Sequence, residues 1–490
     1  MSAAEELVRV PDRRRLVIAA MLVSTFMAAV EVTVISTAMP TIVAELGGFD
    51  LFSWAFGAYL LTQAVTTPLY GRLADGYGRK MVYLASAGLF LVGSLLCGCA
   101  WSMGSLILFR AIQGIGGGGL VPMATTIIGD VSAPADRPRM MGYVSGIWGI
   151  SAIIGPLLGA FFVRIVGWPF VFWVNLPIGL AAMTMIWRFL HEPPRVGRHA
   201  PIDLAGASLL VVGIGAIMVT LVEIEAFNRA ELAGFVLLGV VSLVGFWLRE
   251  RRVAEPLLPA RLLRRPIILI ADASALLSGA LLIGMTAFLP AWVQGVEGGS
   301  ALDAGLVLGI MLVSWTTISM SMSRVLARLS FRPVAIASAL PLIAGSLGLV
   351  LLTAGQNPVW LYLSCVPVGV GLGLNSLVFT VAVQSAGRAD RGRATALFYF
   401  SRLIGQAVGA AAFGGVLNAG LQRAFGGRDV VRELVDAPQR AALAPAELER
   451  LVGSLAGSLH WVFVLAVLLA IGILLAALAT PRQSRLEHEE

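Results

Sequence analysis

Ionisable residues stand inside several long apolar runs of the chain. Glu31 and Arg110 lie well within the first and fourth runs, and Asp272 lies about one helical turn inside a later one. An ionised side chain at the centre of a bilayer costs at least about 2.5 kcal/mol on insertion scales, so such residues usually face the protein interior and mark ion or substrate pathways. The three residues are therefore the first candidates for proton-moving chemistry.

Glu31 and Arg110 lie at similar predicted depths. Glu31 is about nine residues before the outer end of its helix and Arg110 about five after the outer start of its own, so their depths differ by only about 6 Å. Burial and a nearby arginine act in opposite directions on a carboxyl group, which lets it exchange protons at cellular pH. We predict that Glu31 carries protons and Arg110 sets its affinity, with a static ion pair as the alternative. Asp272 is either a second proton site or an acid at a helix start.

The apolar runs have the length of membrane-spanning helices. The chain has 490 residues, of which 58% are hydrophobic and 13% are charged, against roughly 45 to 50% and 25% in soluble domains. Runs of about 18 to 25 residues cross about 30 Å of hydrocarbon as helices. We predict an all-α membrane protein of about 14 spans, at 16–38, 51–70, 81–100, 105–129, 140–164, 169–190, 204–223, 232–248, 267–292, 303–323, 334–353, 359–384, 394–417 and 459–480.

Composition and motifs argue against several other classes of protein. The net charge of +7 comes mostly from arginines between the apolar runs, so it reflects topology rather than nucleic-acid binding. The three cysteines and four histidines form no metal or redox pattern, and no hydrolase motif is present. We predict no catalytic residue, metal or cofactor. The Gly-x-Gly-x-x-Gly pattern of 114–119 lies within a span with no strand before it, which favours close helix packing over nucleotide binding.

The distribution of basic residues predicts the orientation. With a cytoplasmic amino terminus, the inner segments hold 26 basic residues and the short outer loops hold two. A further five lie in a long outer loop at 418–458, and long loops carry little weight in this rule. Both termini are therefore predicted to be cytoplasmic.

A weak internal repeat predicts how the spans are grouped. Residues 71–80 align with 323–332, with Ala327 opposite Asp75, and both segments join the second and third spans of a six-span half. The two spans at about 204 to 248 then lie between two six-span halves, a 6 + 2 + 6 arrangement. Repeated halves of this kind are typical of transporters. The predicted parts are a tail at 1–15, a six-helix half at 16–190, a linker at 191–203, two inserted helices at 204–248, a linker at 249–266, a six-helix half at 267–480 with the outer loop 418–458, and a tail at 481–490.

Motifs in the first half carry a family resemblance. They are Val-Glu-Val-Thr-Val-Ile-Ser-Thr-Ala-Met-Pro from Val30, Gly-Arg-Leu-Ala-Asp-Gly-Tyr-Gly-Arg-Lys from Gly71, Arg-Ala-Ile-Gln-Gly-Ile-Gly from Arg110 and Trp-Pro-Phe-Val-Phe-Trp-Val-Asn from Trp168. Together with a glycine-rich fifth span, they resemble the fourteen-span drug:proton antiporter branch of the major facilitator superfamily over nearly the whole chain. Glu31 stands where that family usually has aspartate.

The resemblance implies roles for two groups of residues. In the family, the aspartate of the loop motif meets a helix amino terminus of the other half, and its arginine meets an acid at the inner end of span four. The loop glycines permit a tight turn. The gating residues it implies are Gly71, Asp75, Gly78, Arg79, Lys80 and Asp130. Those of the antiporter motif in span five are Gly146, Gly149, Gly155, Pro156 and Gly159.

The resemblance also implies a function. The implied function is that of a proton-coupled antiporter of the bacterial inner membrane, which exports lipophilic cationic or zwitterionic compounds by alternating access. It needs no cofactor besides a proton gradient, contacts membrane lipid and works as a monomer. Export of a specific lipid or native metabolite is the alternative. Aromatic and polar residues within spans are candidates for lining the substrate cavity: Met27, Trp54, Tyr59, Gln63, Trp148, Phe288, Trp292, Asn375 and Phe379.

The predicted orientation can be tested by cysteine labelling. In a background without the three native cysteines, a cysteine at Asn357 should react with an impermeant thiol reagent added outside intact cells, because its loop is predicted to be outer. A cysteine at Ala389, in a predicted inner loop, should react only after permeabilisation. The opposite labelling pattern would reverse the assigned orientation.

Overall fold

Helices account for nearly all of the structure, a computed structural model. It describes residues 11–132, 136–192, 203–253, 260–326, 331–384, 391–425 and 430–481. Parts of the predicted tails and linkers, and Ala327, lie outside these ranges. The helices before residue 200 are α1 (Pro11–Leu46), α2 (Phe52–Tyr77), α3 (Arg79–Gly98), α4 (Met103–Val131), α5 (Arg137–Ile165), α6 (Pro169–Trp173) and α7 (Asn175–Phe189).

The later helices are α8 (Leu204–Val222), α9 (Arg229–Glu250), α10 (Ala260–Leu263), α11 (Pro266–Ala291), α12 (Ala301–Leu326), α13 (Phe331–Val350), α14 (Val359–Gln384), α15 (Arg391–Phe425), α16 (Val430–Val435), α17 (Ala437–Ala442) and α18 (Pro445–Ala479). A π-helical turn, Trp292–Val296, follows α11. The described residues form no strand. This confirms the all-α prediction.

Thirteen helices in the described ranges are long and apolar enough to cross a membrane. Every predicted span coincides with a helix, but α2 is not among the thirteen. Its middle carries the polar residues Thr62, Gln63, Thr66 and Thr67, which lower the mean hydropathy of a 26-residue helix. The count of 14 spans and the 6 + 2 + 6 grouping therefore stay predictions.

Contacts divide the described chain into two compact units. The first unit holds residues up to 38 and residues 58–211, and the second holds 39–57 and residues from 212 onward. The first unit contains α1 up to residue 38, most of α2 and helices α3 to α7. The second unit contains helices α9 to α18.

Two helix pairs of the first unit pack through matching threonines and glycines, an arrangement that we call threonine–glycine seams. In one seam the hydroxyl groups of Thr62 and Thr66 on α2 donate to the carbonyls of Ala111 and Ile115 on α4, at 3.0 and 3.2 Å. The glycines at 114 and 118 lie directly opposite, where a β-carbon would overlap α2. In the other seam Thr33 and Thr37 on α1 donate to the carbonyls of Ser151 and Pro156 on α5.

Glycine also brings the helices of the second unit together. A β-carbon on Gly279 of α11 would overlap the carbonyl of Arg402 on α15, and one on Gly405 of α15 would overlap the carbonyl of Leu276 on α11. Small residues at helix interfaces allow this close approach of two backbones in membrane proteins. The glycine pattern of 114–119 serves packing in the same way, as the sequence predicted.

Several helix boundaries differ from the prediction. Helix α2 continues through most of the predicted loop to Tyr77, and only Gly78, at φ 87°, separates it from α3. The sixth span is interrupted at Val174, because Pro177 has no N–H for the carbonyl of residue 173. Helix α18 starts at Pro445, ahead of the predicted start of the last span at residue 459.

The seams predict unequal effects of two glycine substitutions on α4. Gly114→Ala should lower the free energy of unfolding by about 1 to 3 kcal/mol, because its methyl group would overlap the Tyr59 carbonyl on α2. Gly129→Ala is the matched control, since a β-carbon there meets no atom within 4 Å, and alanine favours a helix by up to about 1 kcal/mol. Unfolding in detergent would compare the variants, and equal effects would contradict the assigned packing.

Candidate functional site

Glu31 and Arg110 form a buried ion pair in the first unit. Glu31 on α1 is 0% exposed and Arg110 on α4 is 2% exposed. The Arg110 Nη1 donates to Glu31 Oε1 at 2.6 Å and also contacts Gln113 Oε1 at 2.6 Å. The two residues that the sequence placed at similar depths are thus in direct contact.

Polar residues on two more helices complete the site. Asn175, the first residue of α7, donates from Nδ2 to Glu31 Oε2 at 2.7 Å. Gln113 donates from Nε2 to Ser94 Oγ on α3 at 2.8 Å. Both carboxylate oxygens of Glu31 are therefore bonded, one by Arg110 and one by Asn175. A buried ion pair is sustained only when its remaining hydrogen-bonding positions are filled in this way.

The aromatic face of Tyr59 covers the other side of the arginine. The guanidinium carbon of Arg110 lies 4.0 Å from the centroid of the Tyr59 ring on α2, a distance at which the ring attracts a cation. The hydroxyl group of Tyr59 is buried and has no hydrogen-bond partner among the residues that the structure describes. Tyr59 was predicted to line the substrate cavity, and here its ring packs on Arg110 of the buried ion pair.

This arrangement can accommodate Glu31 with or without a proton. When Glu31 is ionised, its two oxygens accept from Arg110 and Asn175. When a proton neutralises Glu31, Arg110 retains the oxygen of Gln113 and the ring of Tyr59. The arginine therefore keeps two contacts when its ion pair is broken. Removing one member of a buried pair is usually costly because it leaves the other charge uncompensated.

The predicted antiporter motif of α5 packs closely against α1, the helix that carries Glu31. A β-carbon on Gly155 would overlap Thr33 Oγ1, and one on Gly159 would overlap Thr37 Oγ1. Pro156 lies between them and accepts from the Thr37 hydroxyl at 3.4 Å. Gly149 is buried, whereas a β-carbon on Gly146 meets no atom within 4 Å. Gly155 and Gly159 thus bring α5 close to α1.

The predicted gating residues are held by ties among helix ends of the first unit. Arg79 at the start of α3 pairs with Asp130 near the end of α4 at 2.8 Å. Lys80 Nζ donates to the carbonyl of Trp187 near the end of α7 at 2.7 Å. Asp75 is exposed. The Arg79–Asp130 contact is the one that the resemblance implied.

Glu192 is a capping residue that the sequence analysis did not identify. Its carboxylate accepts from the backbone N–H groups of Arg79 and Lys80 at 3.1 and 3.0 Å, at the start of α3. A β-carbon on Gly78 would lie 2.7 Å from Glu192 Oε2. Glycine is therefore required at 78 both by its φ of 87° and by this carboxylate. Gly71 lies within helix α2 and makes no turn.

The second unit holds Asp272 away from any partner. It lies on α11, is 6% exposed, and neither carboxylate oxygen has a hydrogen-bond partner among the described residues. Two positions further along α11, Ser274 exchanges hydrogen bonds with Asn375 on α14 at 3.0 and 3.3 Å. An ionised carboxylate buried without a partner is costly, so a proton or a cation is its natural occupant.

Some of the predicted cavity residues belong to the first unit and the others to the second. Met27, Tyr59, Gln63 and Trp148 belong to the first, and Trp54, Phe288, Trp292, Asn375 and Phe379 to the second. Trp148 is exposed, Trp54 and Gln63 are partly exposed, and the other six are buried.

Trp292 is the first residue of the π-helical turn that follows α11. It donates to the Glu297 carboxylate at 3.0 Å and packs against His460 and Phe463 of α18. Burial raises the pKa of Glu297, and the hydrogen bond from Trp292 partly counters this.

The sequence matches the family model of the Major Facilitator Superfamily over residues 21–410. The chain belongs to this superfamily. It is therefore a multi-pass membrane transporter and not an enzyme, as the resemblance implied.

Relatives and solved structures agree with membership of the superfamily. "Multidrug resistance protein 3" of Bacillus subtilis (strain 168) is 34% identical over 94% of each chain. "Multidrug transporter protein MdtP" of the same organism is 32% identical over 83% of this chain and 76% of its own. A crystal structure of a bacterial homologue of the human lysosomal transporter Spinster shares the fold, with a TM-score of 0.68, 17% identity and coverage of 94% of this chain and 96% of its own.

The hydrogen bond from Asn175 to Glu31 predicts a measurable coupling in this superfamily member. Asn175→Ala should lower the free energy of unfolding by about 1 to 3 kcal/mol, because it removes a donor from a buried carboxylate. In a Glu31→Gln background the same change should have a smaller effect. Unfolding of both single variants and the double variant measures the difference, and strictly additive losses would show that the two residues do not interact.

Proposed function

We propose that this transporter exports lipophilic cationic or zwitterionic compounds in exchange for protons, by alternating access. The observation that carries the proposal is the buried pair of Glu31 and Arg110, with every carboxylate oxygen bonded. Intramembrane ionisable residues of this kind mark ion or substrate pathways. The two Bacillus relatives named as multidrug proteins support export of more than one compound.

Competition at Glu31 would couple the two movements. A proton that binds Glu31 neutralises it and breaks its ion pair with Arg110, while Arg110 keeps Gln113 and Tyr59. A lipophilic cation that reaches the carboxylate competes with that proton for the same negative charge. Binding of the cation then favours proton release, and binding of the proton favours release of the cation, because two ligands for one charge exclude each other.

The threonine–glycine seam between α1 and α5 supports this role for Glu31. Thr33 and Thr37 lie within two turns of Glu31, and Gly155 and Gly159 hold that stretch of α1 against α5. A change in this contact would displace Glu31 relative to Arg110. We propose that the antiporter motif acts by setting the position of the proton carrier.

Asp272 is proposed as a second proton site. The positions of the second half that correspond to Glu31 and Arg110, near Ile283 and Tyr362, carry no charge, so the second half has no copy of the pair. The buried, unpartnered carboxyl group of Asp272 supports a role in coupling. Two positions further along α11, Ser274 bonds to the uncharged Asn375 of α14.

The gating proposal concerns Asp75, Arg79, Lys80 and Asp130. Arg79 and Lys80 tie the start of α3 to the ends of α4 and α7, so movement of one of these ends is transmitted to the others. Asp75 precedes the turn at Gly78 and is exposed, which leaves its charge available at this surface. Gly78 supplies the turn, and we assign no separate function to Gly71.

We further propose residence in a bacterial inner membrane with both termini cytoplasmic, and a monomer that contacts lipid. The 26-to-two asymmetry of basic residues supports the orientation. A proton gradient is the proposed energy source, and no cofactor is assigned.

Substitution of Glu31 tests the proton carrier. Glu31→Gln should abolish gradient-driven export and substrate-induced proton release in proteoliposomes, because glutamine cannot bind and release a proton. Glu31→Asp should retain part of both activities, since it keeps a carboxylate. Glu45→Gln is a matched control, because Glu45 is an exposed residue of the same helix.

The outcome distinguishes Glu31 from Asp272. If Glu31→Gln still concentrates substrate against its gradient while remaining proton-dependent, the carrier lies elsewhere and Asp272→Asn is the next variant. If export by the wild-type protein is insensitive to the proton gradient, the proposed exchange itself is wrong.

A further inference from the structure

Arg402 is a membrane-embedded arginine of the second unit that the proton-coupling proposal does not use. It lies on α15, ten residues after Gly392, where the span begins. At 1.5 Å per residue this places it about 15 Å along a spanning helix of 34 residues, within the stretch that can cross a hydrocarbon layer of about 30 Å. A guanidinium group at that depth requires a specific reason, because ionised residues there are costly.

The contacts of Arg402 are weak for a charge at this depth. Its Nη1 donates to Ser376 Oγ on α14 at 3.4 Å, and its guanidinium carbon lies 4.9 Å from the centroid of the Trp315 ring on α12. No carboxylate lies within ion-pair distance of it in the described parts of the chain. Arg110 in the first unit, by contrast, has a carboxylate at 2.6 Å.

Packing of α15 on α11 fixes the direction in which Arg402 can reach. Its backbone carbonyl fills the space opposite Gly279, and Gly405 lies against the carbonyl of Leu276. The backbone side of Arg402 therefore faces α11, and its side chain extends to α12 and α14. Arg402, Ser376 and Trp315 are all partly exposed.

The unpartnered acid of the same unit does not complete this group. Asp272 lies on α11 seven residues before Gly279, which is level with Arg402. Seven residues correspond to about 10 Å along a helix. Asp272 has no hydrogen bond to any described residue, Arg402 included.

We propose that Arg402, Ser376 and Trp315 bind the carboxylate group of an exported compound. The planar guanidinium fork suits bidentate binding of a carboxylate. Among the described residues, its one hydrogen bond runs from Nη1 to Ser376. The Ser376 hydroxyl accepts that bond and retains its own proton for donation to a carboxylate oxygen. The guanidinium also lies over the Trp315 ring, which attracts its positive charge. This inference rests on the proposed export function and narrows its substrates to lipophiles that carry a carboxylate, zwitterions above all.

Two dyes that differ only in the carboxyl group test the proposal. Rhodamine B has a free carboxylate, and its ethyl ester lacks that charge. Equilibrium binding to purified protein, without any proton gradient, should favour rhodamine B in the wild type. Arg402→Gln should weaken rhodamine B binding about tenfold and leave the ester unchanged, because it removes a charge-assisted hydrogen bond.

Three further variants separate ligand binding from structure. Arg402→Lys keeps the charge and should retain part of the preference for the acid. Ser376→Ala should lower rhodamine B affinity by less than Arg402→Gln does, again without effect on the ester. Arg423→Gln is the matched control, because Arg423 is an exposed arginine of the same helix that pairs with Glu225.

The possible results are distinct. Equal weakening of both dyes by Arg402→Gln, or no preference for the acid in the wild type, would overturn the carboxylate site. If Arg402→Gln does not fold, the Ser376→Ala and Arg402→Lys results decide in the same way. Acid-selective binding combined with gradient-independent export would support the site and contradict the proposed antiport alone.

Discussion

Removal of two full charges from water is the constraint on which the first unit depends. Glu31 and Arg110 are sustained in an apolar bundle because each has several partners whose positions are fixed. The partners come from five helices, with Glu31 on α1, Tyr59 on α2, Ser94 on α3, Arg110 on α4 and Asn175 on α7. A single polar cluster therefore relates the positions of all five, and any helix that shifts changes the surroundings of the carboxylate.

The charged residues within the helices of the second unit have different surroundings. Asp272 and Arg402 lie on helices that pack directly against each other, yet each lacks a charged partner among the described residues. The two units thus differ in the pairing of their charged residues. An unpaired charge is available for an external ligand, whereas the paired charge of the first unit must first be released. This division supports different roles for the two units in one transport cycle.

The sequence predicted the elements better than the contacts. Hydropathy located a helix at every predicted span, because the bilayer imposes the same length on each. The pairing of Glu31 with Arg110 followed from their similar depths. Asn175 could not be assigned in the same way, because its reach to Glu31 depends on the interruption at Val174 and on the rotation of α7. Glu192 stands in a predicted inner loop, where an acid usually faces water, and only the fold places it at the start of α3.

The threonine–glycine seams bear on how transporters of this kind diversify. A seam is made from hydroxyl groups, main-chain carbonyls and glycines, so the spacing of its two helices does not depend on the side chains of their other faces. Substitutions on those faces can alter the shape and polarity that a compound meets while the backbone keeps its place. Substrate range can thus change by single mutations in one lineage, and the scaffold that moves the compounds is inherited intact.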